Sequence, residues 1–149
     1  MLVLIFPVVA WNIGDRLGEA NTLKAIGDVQ QFRKENDLAL HSYHQALDLF
    51  KTVGDRLGEA NISLMLGRLT RRKKNLEEAR QYTQAALQTY LNMDNRWNIA
   101  LGYWDLANIE RDDQNLKAAR DYYQQALTLL EAIGAPSAST VKAELEALS

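Results

Sequence analysis

His41 and His44 stand three residues apart, so on a helix they share one face and can offer two nitrogens to one metal ion. No third histidine stands in the sequence, which leaves the pair as half a site on a helix face that reads as solvated. Serine, histidine and aspartate can be combined on paper into hydrolytic triads, but nothing in their spacing orients one toward another. Cysteine is absent, which excludes thiol nucleophiles, thiolate zinc sites and disulfides. The glycine-containing stretch GDRLGEAN has neither the spacing nor the lysine of a phosphate-cradling loop. Together these point to a protein that is not an enzyme and carries no metal and no cofactor.

Charge narrows the partners further. The 17 basic and 19 acidic side chains sum to a formal −2, which removes the general electrostatic pull of a nucleic acid. Asp28, Asp105, Asp112 and Asp113 also argue against the basic channel of an RNA-reading repeat. The opening MLVLIFPVVA is apolar, but a membrane helix needs roughly 20 such residues, and no positive residue precedes it as in a secretory leader. A cytoplasmic protein with no membrane partner is the expectation. What remains is binding to another protein, and that depends on how the chain presents its side chains.

The chain says how, because it repeats a phrase. Residues 13–21 read IGDRLGEAN and residues 53–61 read VGDRLGEAN, forty residues apart. A third, drifted copy, MDNRWNIAL, stands at 93–101, where Arg96 and Ala100 keep their places. Within each period the apolar residues follow helical spacing, as in Leu76, Ala79, Tyr82, Thr83, Ala86, Leu87 and Tyr90. Each period therefore builds a hairpin of two helices, joined by short polar stretches such as Lys73-Lys74-Asn75 and Asp112 to Asn115, where asparagine suits a turn or a cap. The shared phrase is the punctuation between hairpins. Gly14 and Gly54 fit a left-handed position just past a helix end, Asp15 and Asp55 fit the cap of the next helix, and Glu19 and Glu59 lie near its positive end. Gly18 and Gly58 fall inside that helix, where glycine costs about 1 kcal/mol relative to alanine, so close approach by a neighbouring helix is the expected reason for them.

The period divides the chain into residues 14–53, 54–93 and 94–134, with a closing helix at 137–149 in which Val141, Leu145 and Leu148 form one apolar edge capped by Ser137 or Ser139. Moved back by whole periods, QALTLLEAIG at 125–134 falls on IFPVVAWNIG at 5–14, so residues 1–13 read as the remnant second helix of a preceding repeat. A single hairpin cannot bury its apolar side alone, so hairpins must stack.

The small-residue positions Ala39, Ala46, Ala79, Ala86, Ala119 and Ala126, with Ile26-Gly27, Leu66-Gly67 and Leu106-Ala107, resemble the signature of tetratricopeptide repeats. The likeness covers about residues 14–134 and is strongest in NLKAARDYYQQAL at 115–127; the long period resembles the subset found in kinesin light chains, Pins-type scaffolds and bacterial signalling proteins. Asn36 departs from it where Leu76 and Leu116 are apolar, as does Asp105 where Ala25 and Met65 stand. The resemblance implies an all-α fold, a right-handed superhelical solenoid of antiparallel hairpins with a C-terminal capping helix, whose first helices line a concave face. On those helices the stripe i, i+4, i+7, i+11, i+14 runs Leu17, Asn21, Lys24, Asp28, Gln31, then Leu57, Asn61, Leu64, Arg68, Arg71, then Trp97, Leu101, Trp104, Asn108, Arg111. Leu17, Leu57 and Trp97 fit helix packing.

The expected partner-binding residues are thus Asn21, Lys24, Asp28, Asn61, Leu64, Arg68, Arg71, Leu101, Trp104, Asn108 and Arg111. Leu64, Leu101 and Trp104 form an apolar centre and Arg68, Arg71 and Arg111 a basic ledge beside Lys24, which fits a peptide with acidic and hydrophobic residues. Some family members clamp a terminal carboxylate with lysines and asparagines. Lys24 and Asn61 match part of such a clamp, but Asp28 and Met65 stand where its donors belong, so no clamp is expected. The function implied is a noncatalytic scaffold binding a peptide or helix of a partner protein. The alternative is a self-associating unit, or a fragment of a longer array in a signalling protein, meeting its neighbour through Leu2 to Ile13 as a homo-oligomer.

Overall fold

A computed structural model describes the backbone of residues 2–148 and the side chains of residues 12–148. Its elements are α1 (Leu2–Phe32), α2 (Asn36–Val53), α3 (Arg56–Arg72), α4 (Leu76–Asn92), α5 (Arg96–Asp112), α6 (Leu116–Ala132) and α7 (Ala138–Glu146), with no strand among the described residues. The fold is an all-α helical repeat in which first helices (α3, α5) alternate with second helices (α2, α4, α6).

The joints between helices follow a stricter rhythm than the sequence shows. Positive φ angles occur at Lys34, Gly54, Lys74, Asp94, Gln114 and Gly134, twenty residues apart. At each, the left-handed residue returns its N–H to the carbonyl three residues back, and the next residue reaches five back, as in Lys74 to Arg71 and Asn75 to Thr70, both at 2.9 Å. This closure satisfies two of the carbonyls a helix end leaves open, which offsets the 1–2 kcal/mol or so that a left-handed side-chain residue costs. Asp55 then starts α3 as expected, its Oδ1 accepting from the Gly58 N–H at 2.9 Å. Asn95 does the same for Asn98 at 3.2 Å.

The expected break at Gly14 does not occur. α1 passes through Gly14 and Asp15 as one unbroken helix, so Gly14 has no left-handed φ and Asp15 caps nothing. The same letters that turn the chain at Gly54 are helical here. The idea that residues 1–13 are a remnant second helix rests largely on side chains of residues 1–11, which lie outside the described ones.

Two compact units divide the chain between Ile62 and Ser63, within α3. In the first, α1 packs on α2. Ala39, Tyr43, Ala46, Leu47 and Phe50 of α2 are buried at helical spacing, and Ala20 and Gly27 meet them from α1. A Cβ on Gly27 would stand 2.6 Å from the Tyr43 ring, and one on Gly58 would overlap Phe50. Gly58 thus has the close helix approach expected of it. Gly18 does not: nothing lies within 4 Å of where its Cβ would be.

In the second unit α4 packs on α5, α5 on α6 and α6 on α7. The buried face of α4 and α6 repeats that of α2, with Ala79, Thr83, Ala86, Leu87 and Tyr90, then Ala119, Tyr123, Ala126, Leu127 and Leu130. Each fully buried leucine-sized chain contributes about 1.5–3 kcal/mol by leaving water, so this stripe holds each hairpin shut. At the end of the unit Val141 is fully buried, and Leu145 and Leu148 pack on the cluster of Tyr123, Leu127 and Leu130. The apolar edge of α7 therefore closes the core. Neither serine caps it through its side chain: Ser137 Oγ makes no hydrogen bond, and Ser139 Oγ donates to the Pro136 carbonyl at 3.0 Å.

Candidate functional site

In the first unit the expected residues are Asn21, Lys24, Asp28 and Asn61. Asn21 is exposed and Asn61 half-buried. Lys24 Nζ lies 2.7 Å from Asp28 Oδ2. The other oxygen of Asp28 accepts from the hydroxyl of Tyr43 at 2.6 Å, and that hydroxyl is also 2.9 Å from Gln31 Oε1. Asp28 is thus a fastener between α1 and α2, with both oxygens engaged. Sequence reasoning missed this tyrosine, which comes from the second helix and reaches through to the face of the first.

The second unit repeats the device once and varies it once. Tyr123 of α6 donates to Asn108 Oδ1 at 2.7 Å, the counterpart of the bond to Asp28. Burial pushes the Tyr123 phenol up to about 12, so it stays a neutral donor. In the middle repeat the tyrosine is replaced by Thr83, and Arg68, which occupies the place of Asp28 and Asn108, turns sideways. Its Nε meets Asp105 Oδ2 of α5 at 2.6 Å. The Asp105 side chain is only 11 % exposed. Burial holds its carboxyl above the ordinary range, and the opposing pull of Arg68 reduces that shift without cancelling it.

The charged residues farther along α3 and α5 meet in the same manner. Arg71 Nε is 3.2 Å from Asp112 Oδ2, while Arg111 Nε is 3.7 Å from the other oxygen of Asp112 and its guanidinium lies 6.0 Å from the centre of the Tyr123 ring. Arg71, Lys74, Leu76, Arg111, Asp112 and Gln114 surround an open cleft of about 530 Å³. Three cations there face one carboxylate, so the cleft keeps a positive surplus. By contrast Arg68 and Lys24 are each matched by a carboxylate.

The apolar centre also differs from expectation. Leu64 is 2 % exposed and belongs to the core, so it does not line an open surface. Leu101 and Trp104 are half-buried. Trp104 Nε1 donates to Glu144 Oε2 of α7 at 2.5 Å. Glu144 stands forty residues after Trp104, the fourth member of the series Lys24, Leu64, Trp104, and extending the period once more would have found it. α3, α5 and α7 thus carry one row of side chains, joined by Arg68 to Asp105 and by Trp104 to Glu144.

A second network missed by sequence reasoning centres on Arg80 of α4. Its guanidinium binds Glu110 at 2.7 Å, Asp113 at 2.8 Å and Glu77 at 2.8 Å. These carboxylates hold the Arg80 pKa above its ordinary value, with the bond to the buried Glu110 as the largest cause. His41 and His44 are exposed on α2, and among the described residues no three metal-ligating side chains gather. Nor is any helix among them long and apolar enough to cross a membrane.

The family model for the tetratricopeptide repeat matches residues 18–92. No curated protein matches the chain. Among solved structures, BtubC (BKLC) from P. vanneervenii is 18% identical with a TM-score of 0.80, over 87% of this chain and 54% of that one. The apo form of RapI is 13% identical with a TM-score of 0.83, over 90% of this chain and 38% of that one. The TPR domain of Arabidopsis FLU is 21% identical with a TM-score of 0.74, over 78% of this chain and 98% of that one. The chain thus spans about half of BtubC and less of RapI, and at these identities the likeness establishes the fold alone.

Proposed function

The chain belongs to the tetratricopeptide repeat family, and from that premise we propose that it is a noncatalytic scaffold that binds a peptide or helix of a partner protein on the face of its first helices. The observation that carries this reading is the uneven state of the charges on that face. Arg68 is matched by Asp105, whereas Arg71, Lys74 and Arg111 share a single carboxylate in an open cleft. An acidic side chain of a partner supplies the missing charge there, through charge-assisted hydrogen bonds to two guanidiniums. Leu101 and the exposed part of Trp104 offer apolar contact on the same helix. The partner is accordingly a segment with acidic and hydrophobic residues, and Arg71 and Arg111 are its anchors.

The test uses a fluorescent peptide of alternating glutamate and leucine and its glutamine counterpart, followed by anisotropy. The acidic peptide should bind at least about tenfold more tightly, with the preference shrinking as salt rises. Arg71→Glu with Arg111→Glu should abolish the preference while helical circular dichroism is unchanged. Equal affinity for both peptides, or an unaltered preference in the double variant, would discard the assignment.

A further inference from the structure

Arg71 and Arg111 stand forty residues apart at the ends of two successive first helices, α3 and α5. Lys74 and Gln114 occupy the left-handed joints that follow them, with φ of 64° and 62°. The period thus sets two arginine-bearing helix ends side by side in the second unit. α1 has no such end: Gln31 stands at the matching place, and its Oε1 lies 2.9 Å from the Tyr43 hydroxyl.

Asp112 braces this pair without quenching it. One of its oxygens lies 3.2 Å from Arg71 Nε and the other 3.7 Å from Arg111 Nε, while the Tyr123 ring lies 6.0 Å from the Arg111 guanidinium. The two arginine side chains are only 26% and 34% exposed, so they are held and partly desolvated before a partner arrives, which lowers the cost of binding. Their terminal nitrogens donate no hydrogen bond to any described residue, and Lys74 Nζ has no acidic partner among the described residues. All three cations border the open cleft of about 530 Å³. Set against the single carboxylate of Asp112, they leave a surplus of two positive charges. The end of α3 and the start of α4 meet beside Lys74, where their opposite partial charges offset, so the side chains set the sign.

A single glutamate fills half of that surplus and leaves one cation unmatched. We propose that the cleft takes a phosphate monoester, carried by a phosphorylated side chain of the partner segment; this rests on the reading of the cleft as the place where an acidic side chain anchors. Such a side chain brings nearly two negative charges at pH 7 and three acceptor oxygens. The planar forks of Arg71 and Arg111 match phosphate oxygens through paired N–H bonds, and the ammonium of Lys74 supplies the third positive charge. Leu76, half-buried at the wall of the cleft, gives the carbon stem of the modified residue an apolar contact. Binding is thereby made conditional on phosphorylation of the partner.

The probe is the glutamate–leucine peptide with its central glutamate replaced by phosphoserine, read by anisotropy against the full 149-residue chain. At about pH 7.5 it should bind roughly tenfold or more tightly than its parent. At about pH 5 the phosphate has taken up a proton, its second pKa being about 6, and the advantage should shrink by about fivefold. The parent peptide, run at the same two pH values, reports any change in the cleft itself. Lys74→Gln installs the residue that Gln114 holds at the equivalent left-handed joint, so the backbone tolerates it. It should weaken the phosphoserine peptide by about fivefold and the parent by less. Inorganic phosphate, added as competitor, separates a free-anion site from a partner site and should displace the peptide only far above the peptide's own Kd. Equal affinity for phosphoserine and glutamate, an advantage unchanged at about pH 5 or in Lys74→Gln, or displacement by inorganic phosphate near that Kd overturns the phosphate assignment. The acidic anchor then stands if the glutamate peptide still outbinds its glutamine counterpart, and loss of that preference overturns both.

Discussion

Replacing Arg68 with methionine strips the Asp105 carboxylate of the cation that lies 2.6 Å away, while leaving the aliphatic bulk of the side chain in place. Losing one member of a buried ion pair costs about 3–5 kcal/mol, because the remaining charge stays desolvated. Asp105 is 11% exposed but Arg68 is 31% exposed and partly screened by water, so the low end applies, about 3 kcal/mol at pH 7. For a chain of this size that is a fall in melting temperature of roughly 6–12 °C. The loss should depend on pH in a defined direction. Burial already raises the Asp105 carboxyl above its unfolded value, so the folded state takes up the proton at a higher pH than the unfolded chain. The stability owed to this group is therefore fully present below about pH 4 and declines as pH rises through the folded value. Without Arg68 the folded value rises further, and the deficit of the variant should be largest at neutral pH and shrink on acidification. Urea denaturation of wild type, Arg68→Met, Asp105→Met and the double variant, at neutral and acidic pH, closes a thermodynamic cycle. Methionine is the residue that the preceding repeat holds at this place, Met65, so the double variant should recover most of the loss. A deficit below about 1 kcal/mol at pH 7, or one equal at both pH values, refutes the claim that Arg68 is fastened to a buried carboxylate.

Two further substitutions probe the packing. Gly58→Ala puts a methyl into the Phe50 ring and should cost about 1–3 kcal/mol, whereas Gly18→Ala, at the matching place of the repeated phrase, should gain up to about 1 kcal/mol. Thermal unfolding decides it, and equal signs would contradict the difference in their surroundings. Arg80→Met leaves the buried Glu110 with Asn115 Nδ2 at 3.2 Å as its remaining bond and should cost about 3 kcal/mol, part of which Glu110→Gln restores. A neutral Arg80→Met in urea denaturation would show that the network contributes nothing.

How much of this was legible in the sequence follows from what kind of information each feature needs. The helical hairpins were legible because a nine-letter phrase and an alanine-rich second helix recur at one spacing, and recurrence survives the drift of individual residues. Gly54 and Asp55 were legible for the same reason. Gly14 was not, since the same letters turn the chain at Gly54 and run on as helix at Gly14. Leu64 was misplaced because a stripe taken at helical steps is about one side chain wide. A few tens of degrees separate its open edge from the core. The fasteners Tyr43, Tyr123 and Arg80 were invisible because each projects from a second helix, while the search for a site followed the first. Asp105 shows the reverse case: its departure from Ala25 and Met65 was plain in the letters, and its physical reason, Arg68, needed three dimensions.

The even pacing of the left-handed joints bears on how such a chain can change its length. Adding or removing twenty residues would keep every joint in step yet put a second helix where a first helix belongs, spoiling the seam on both sides. Forty residues restore both the joint and the seam. Viable insertions, deletions and circular rearrangements of this gene should therefore arrive in whole multiples of forty codons, and a splice of any other size should be betrayed by proteolysis at the mismatched junction.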